Sequence, residues 1–228
     1  MVDATLDITD PKLKKLVDLC KEVIPSFKLT YKTDSKFMKV LGTLSKLFNP
    51  EFMTVYTTTV GSTVYLPSKE VLLADQRVYF GVLAHELVHM REQRQTGSVL
   101  YMLKYFAPQI LGVLALLAIF AVTSVWFLLA LFFLIALAPL PSPGRANIEL
   151  NGYTMSMAVD FWFEGSIGAD ELEWIALQFT GAPYYFMWPF RGGLMKELKA
   201  RAVLVRTHKV LEDSLFRDVF NIVKDPNS

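Results

Sequence analysis

The stretch "GVLAHELVHMREQ", residues 81–93, decides how the rest of the chain is read. It contains His85-Glu86-Leu87-Val88-His89, and so holds two of the chain's three histidines. On a helix, residues four apart lie on one face, one above the other. His85 and His89 therefore aim their imidazoles at one point, where a single ion can be held. Glu86 lies one position on, about 100° around the helix, so it can reach a water at that point without binding the metal itself. Zinc lowers the pKa of such a water, and a carboxylate takes the proton as the water attacks a carbonyl. The residues just before the pair, "VYFGVLA" (78–84), are apolar, as a buried active-site helix requires. The competing reading is a chance match, but buried histidines without a metal would need other hydrogen-bond partners. The expected cofactor is Zn²⁺, with His85 and His89 as ligands and Glu86 as the catalytic base.

A catalytic zinc site takes a third protein ligand. The remaining histidine, His208, lies in "RAVLVRTHKVLED" (201–213) among Arg201, Arg206 and Lys209. A positive neighbourhood disfavours a divalent cation. Glu149 is the better candidate. It falls in "RANIELNGY" (145–153), early in a helix, with Ala146 and Gly152 small enough to let another helix approach. The alternative for Glu149 is a solvated surface residue paired with Arg145.

Between the histidines and Glu149 runs "FAPQILGVLALLAIFAVTSVWFLLALFFLIALAPLPSPG" (106–144), without a single charge. One bilayer crossing needs about 20 residues and two need about 40. A single crossing would put His85 and Glu149 on opposite sides. Sharing one metal requires the run to enter and return on the same side, which predicts a hairpin with its turn in "VTSVW" (122–126). As α-helices, arms of about 15 residues reach roughly 23 Å, short of the hydrocarbon core of about 30 Å. The hairpin is then either re-entrant or extended by "SVLYMLKY" (98–105). Trp126 near the tip, and Tyr101 and Tyr105 near the base, would serve as interfacial anchors. Arg91, Arg94, Lys104 and Arg145 flank both ends, which points to the cytoplasmic face. The other reading of the run is a hairpin buried in an oligomer.

The remainder reads as an ordinary soluble domain. The 228-residue chain is 53% hydrophobic, and the excess is confined to about 98–141. A net charge of +1 gives no nucleic-acid footprint. One cysteine, Cys20, excludes an internal disulfide and fits a reducing compartment. The polar N-terminus predicts no cleavable signal peptide. "DPKLKKLVDLCKEVI" predicts a helix capped by Asp10, with Leu13, Leu16, Val17, Cys20 and Val23 on one face. "DSKFMKVLGTLSKLF" predicts a helix interrupted by Gly42. "EFMTVYTTTVGSTVYLP" predicts a β-hairpin turning at Gly61-Ser62 and ended by Pro67. The histidine helix should start at Asp75 and stop at Gly97. Further helices are expected up to Gly165, over "GADELEWIALQFTG", and as one or two amphipathic helices to the end.

From the histidine motif onward the chain resembles the glutamate-zincins, metallopeptidases whose third ligand is a glutamate on a later helix. More narrowly, it resembles the membrane zinc proteases of the HtpX and CAAX-prenyl-protease family. The matching pieces are "HELVHMREQ", the run 106–142 and "RANIELNGYTMSMA", together covering about residues 75–160. In that family an aspartate commonly stands four residues after the ligand glutamate and supports the first histidine. Here that place holds Tyr153, whose hydroxyl would accept the imidazole N–H less strongly than a carboxylate. The first transmembrane helices of that family have no counterpart.

The resemblance implies an α+β fold: a mainly helical, zincin-like domain with a small β-sheet, interrupted by a hydrophobic membrane hairpin. Residues 1–97 would carry the strands and the histidine helix, 98–142 the hairpin, and 143–228 the helical part with the third ligand. The expected function is a membrane-anchored zinc endopeptidase facing the cytoplasm and cutting membrane or membrane-proximal polypeptides. The alternative is a non-catalytic membrane or assembly protein that keeps a zincin-like zinc site. The expected partners are a peptide or protein substrate and membrane lipid, with no nucleic acid. "TVYTTTV" or "STVYLP" could pair with an extended substrate by strand addition. "APYYFMWPF" (182–190) could line a substrate groove, lie at the membrane surface or be core. Tyr153, a tyrosine of Tyr184-Tyr185 and His208 are the candidates to stabilise an oxyanion.

Overall fold

A computed structural model describes residues 7–45, 51–181 and 186–226. The protein is α+β, mostly helical with a small three-stranded sheet. Helix α1 (Pro11–Val23) begins as its sequence dictates: the Asp10 side chain accepts from the Leu13 N–H at 2.7 Å, and Pro11 occupies the first turn, where no N–H is needed. Leu13, Leu16 and Cys20 form its buried stripe. Burial pushes the Cys20 thiol far up, so it stays a neutral apolar filler. Strand β1 (Lys28–Tyr31) follows, then helix α2 (Lys36–Ser45). Gly42 does not interrupt α2 as expected. The helix runs through it, and Met53 lies against the bare Cα, where a Cβ would meet its Sδ at 2.5 Å.

The predicted hairpin is present. Strands β2 (Thr58–Val60) and β3 (Thr63–Leu66) pair antiparallel, and Val60 opposite Thr63 leaves Gly61-Ser62 as the two-residue turn. Gly61 takes φ 62°, which the turn needs and a side chain would resist. Strand β1 adds in parallel to the other side of β3, giving the order β1-β3-β2. "STVYLP" is therefore the central strand and offers no free edge, which removes it as a substrate-pairing strand. Of the two hairpin strands, the one at an edge is β2, within "TVYTTTV", and β1 forms the opposite edge.

After a short helix α3 (Lys69–Ala74), Asp75 caps α4 (Gln76–Thr96) by accepting from the Val78 N–H at 3.0 Å. Gly97 at φ 86° ends α4 and starts α5 (Ser98–Phe106). Pro108, lacking an N–H, stands just beyond the end of α5. The uncharged run then forms two arms, Gln109–Val122 and Val125–Leu137, that pack on each other and turn at Thr123-Ser124. Gly112 lies against Leu137 and Phe120 against Phe127, so the arms run in opposite directions. They wind as 3-10 helices and not as α-helices. At a rise of about 2.0 Å per residue each arm reaches roughly 26–28 Å, longer than the α-helical reading allowed. At the base, the Ser142 hydroxyl donates to the Ala107 carbonyl and Gln109 Nε2 donates to the Leu140 carbonyl. Among the described residues no single helix is long and apolar enough to cross a membrane. The pair Ser98–Phe106 and Gln109–Phe120 is so only jointly, across a 90° bend.

Helix α6 (Pro143–Glu164) returns the chain to α4 and ends at Gly165, φ 79°. It lies antiparallel to α4: Arg77 meets Asp160 at 3.4 Å, Gly81 faces Val159, and His85 faces Gly152. Helices α7 (Ala169–Thr180), α8 (Arg191–Arg206) and α9 (Ser214–Lys224) complete the chain. Arg91 on α4 donates to both oxygens of Asp213 at 2.5 and 2.8 Å, and Asp213 also caps α9 through the Leu215 N–H. One apolar core joins α1, the sheet, α4 and α6 to α9, so the segments before and after the uncharged run share a single interior.

Candidate metal centre

The site is built where α4 crosses α6. His85 and His89 stand one turn apart on α4 and present their Nε2 atoms to each other at 2.9 Å. Glu149, on the facing side of α6, places Oε2 at 3.6 Å from each of these nitrogens. The three ligand atoms lie within 4.8 Å of one another. His85 and Glu149 are buried and His89 nearly so. Around a tetrahedral zinc with bonds of about 2.1 Å, ligand atoms lie roughly 3.4 Å apart. The observed spacings of 2.9 and 3.6 Å bracket that value.

The polar accounting also fits a cation. At 3.6 Å, Glu149 Oε2 is beyond hydrogen-bond reach of both imidazoles, and this buried atom has no hydrogen-bond partner among the described residues. A buried carboxylate oxygen without a donor is costly unless something positive sits against it. Burial alone would favour the neutral acid, but the imidazoles of His85 and His89 hold the Glu149 carboxyl well below the usual carboxylate range. For His89 burial opposes the cation, yet the Glu149 carboxylate, with Glu86 and Glu92 behind it, carries the pKa above the ordinary imidazole value. The Glu149 carboxylate thus sets its negative charge at the point that the two imidazoles share. The site could hold a metal ion.

His85 Nδ1 meets Ser156 Oγ at 3.1 Å, and that hydroxyl lies 3.5 Å from the Gly152 carbonyl. With the hydroxyl donating to the carbonyl, its oxygen accepts from Nδ1–H, which leaves the His85 Nε2 lone pair free for a ligand. The supporting group is therefore Ser156 and not the expected Tyr153 hydroxyl. Tyr153 instead packs its ring edge-on against His85, with centroids 5.0 Å apart, and reaches Phe179 behind it. Gly152 has a steric reason: a Cβ there would stand 2.6 Å from His85 Nε2 and 2.9 Å from His89 Cε1.

Glu86 is half-buried on the flank of α4, one position from His85. Two residues that sequence reasoning missed complete the surroundings. Ser156 lies seven positions after Glu149, two turns on, and that spacing was the available signal. Tyr105, expected as a membrane anchor, donates its hydroxyl to Glu149 Oε1 at 2.8 Å. Its ring lies under the Arg145 guanidinium at 4.9 Å, so Arg145 serves Tyr105 and Glu149 is no surface glutamate.

His208 is not brought to the site. It is exposed beyond the end of α8 and packs between Phe161 and Phe220. Phe161 is twelve residues along α6 from Glu149, about 18 Å at the α-helical rise. His208 is therefore removed as an oxyanion candidate. Tyr184 and Tyr185 lie outside the described residues, as does the start of "APYYFMWPF". From that segment Met187 is buried, and Trp188 and Phe190 border a cavity of about 310 Å³ with Ala146, Leu150 and Leu194. Comparison of the chain with family models, with curated proteins and with solved structures finds no match.

Proposed function

We propose that this protein is a membrane-anchored, zinc-dependent endopeptidase with a zincin-like site. The observation that carries the reading is the convergence of His85 Nε2, His89 Nε2 and Glu149 Oε2 on one buried point, with Glu86 beside it. A purely structural zinc site is closed by four ligands. Here three protein atoms converge among the described residues, and an adjacent carboxylate remains that the ligand set does not use. Bound there, zinc would act as a Lewis acid towards a substrate carbonyl and lower the pKa of water. Glu86 would take a proton from the attacking water and later hand it to the leaving amine. Ser156 would hold His85 in the ligating tautomer. Where the hairpin strands face substrate, β2 is the one with an edge for an extended peptide.

The hydrophobic hairpin supports a membrane setting. Its outer side chains are exposed along both arms, from Leu111 and Val113 to Ile135 and Leu137. Such an apolar surface fits lipid, and membrane or membrane-proximal polypeptides are then the substrates within reach. Basic residues at both ends of the run support a cytoplasmic site.

The test combines metal content with turnover. Wild-type protein in detergent should hold about one zinc per chain, and His85→Ala with His89→Ala should lose most of it. Glu86→Gln should keep the zinc and lose peptide cleavage, because a general base serves turnover and not binding. His208→Ala should keep both. Cleavage by Glu86→Gln at the wild-type rate would sink the hydrolytic reading, while full zinc in the double histidine variant would sink the ligand assignment.

A further inference from the structure

We infer that Tyr105 is a positioning residue for Glu149, and that it makes the base of the hydrophobic hairpin part of the metal centre. The inference rests on the metal reading of the site. A glutamate carboxylate turns easily about its last torsion, so a buried one presents a defined oxygen only if something fixes its plane. Tyr105 supplies that restraint. Its hydroxyl donates to Oε1 at 2.8 Å, and Oε2, which has no hydrogen-bond partner among the described residues, is left facing the two histidines. The two carboxylate oxygens therefore have separate tasks.

Tyr105 is placed by the hairpin itself. It stands on α5, one residue before the uncharged run, while Arg145 stands one residue after it. The Arg145 guanidinium lies over the Tyr105 ring at 4.9 Å, and Arg145 is one turn before Glu149 on α6. The two ends of the run thus hold each other above the ligand. Closure of the base by Ser142 on Ala107 keeps α5 and α6 together. The tight fit of Gly144 against the Lys104 carbonyl, which a Cβ would meet at 2.5 Å, does the same.

The decisive variant is Tyr105→Phe, which removes the hydroxyl and keeps the ring under Arg145. Zinc and cobalt affinities of the full chain in detergent are read by competition with a chromophoric chelator, alongside the visible spectrum of the cobalt form. Groups that orient a metal ligand typically contribute 10- to 100-fold in metal affinity. The expected result is zinc binding weakened by about that factor, a shifted cobalt spectrum and an unchanged thermal midpoint of the metal-free protein. A merely structural role for Tyr105 would lower the midpoint and leave the spectrum of the loaded protein as it was, and that result would overturn the inference. So would wild-type affinity with a wild-type spectrum. Wild-type protein that takes up neither metal would instead overturn the reading of the site, and the role of Tyr105 with it.

Discussion

Gly152 is the residue on which the geometry of the centre turns. It sits one turn after Glu149 on α6, directly under both imidazoles, and any side chain there would occupy their space. Gly152→Ala separates fold from site. Alanine gains about 1 kcal/mol of helix propensity over glycine, so the backbone of α6 is not penalised. The Cβ must instead push the His85 ring away from its 2.6 Å position, and the ring then leaves Glu149. We expect zinc affinity to fall at least about tenfold, roughly 1.4 kcal/mol, with little change in the thermal midpoint of the metal-free protein. A chelator competition and a melting curve measure the two sides, and unchanged affinity would show that the rings have room to spare. At this scale the sequence was legible where chemistry repeats with the helix. His85 and His89 were found by their four-residue spacing, and Glu149 by its small neighbours. Ser156 and Tyr105 were not, because one is an ordinary polar residue on a helix and the other reaches the site from a separate element. Tyr153, chosen by analogy with an aspartate, stands on the correct face but meets His85 with its ring.

Among the elements, those with strong local signals formed as read. The caps at Asp10 and Asp75, the stop at Gly97 and the turn at Gly61-Ser62 each follow from one residue's conformational chemistry. Strand β1 escaped because four residues of mixed polarity carry no clear period, and its partner lies 35 positions away, as in Lys28 opposite Thr63. Helix α5 carries no sequence signal for its direction. Read as a possible extension of the first arm, it bends from that arm by 90°. Its inner face carries Tyr101 and Tyr105, stacked 6.2 Å apart. Its outer face exposes Val99, Leu100, Met102, Leu103 and Phe106. With the arms along a bilayer normal, such a helix would lie in the interface plane, apolar side down. Single cysteines replacing Val99 or Leu103 in a Cys20→Ser background, tagged with a polarity-sensitive fluorophore, test this in phosphatidylcholine vesicles. Both should be quenched by spin labels at the headgroup and far less by labels deep in the acyl chains, while a tag at Leu117 in the arm shows the reverse. A Val99 tag that stays fully aqueous would remove α5 from the interface.

For the molecule as a whole, the uncharged run interrupts a domain whose interior it does not divide. Val64 on the sheet, Leu87 on α4, Val159 on α6 and Val219 on α9 belong to one core, although the run separates the first two from the last two in sequence. The chain therefore has to leave the domain at α5 and re-enter at α6 at the same place. The base contacts between Ala107 and Ser142 and between Gln109 and Leu140 mark that place. This geometry carries a topological consequence for any membrane setting: residues on both flanks of the run must face one compartment. Ser98 and Asn147 are exposed on the two flanks, whereas Ser142 is buried at the base and would not report. Ser98→Cys and Asn147→Cys, each in a Cys20→Ser background, should react with a membrane-impermeant maleimide from the same side of sealed vesicles of one orientation. Because His85 precedes the run and Glu149 follows it, labelling from opposite sides would mean that the two cannot meet at one ion, and both the shared core and the metal centre would have to be abandoned together.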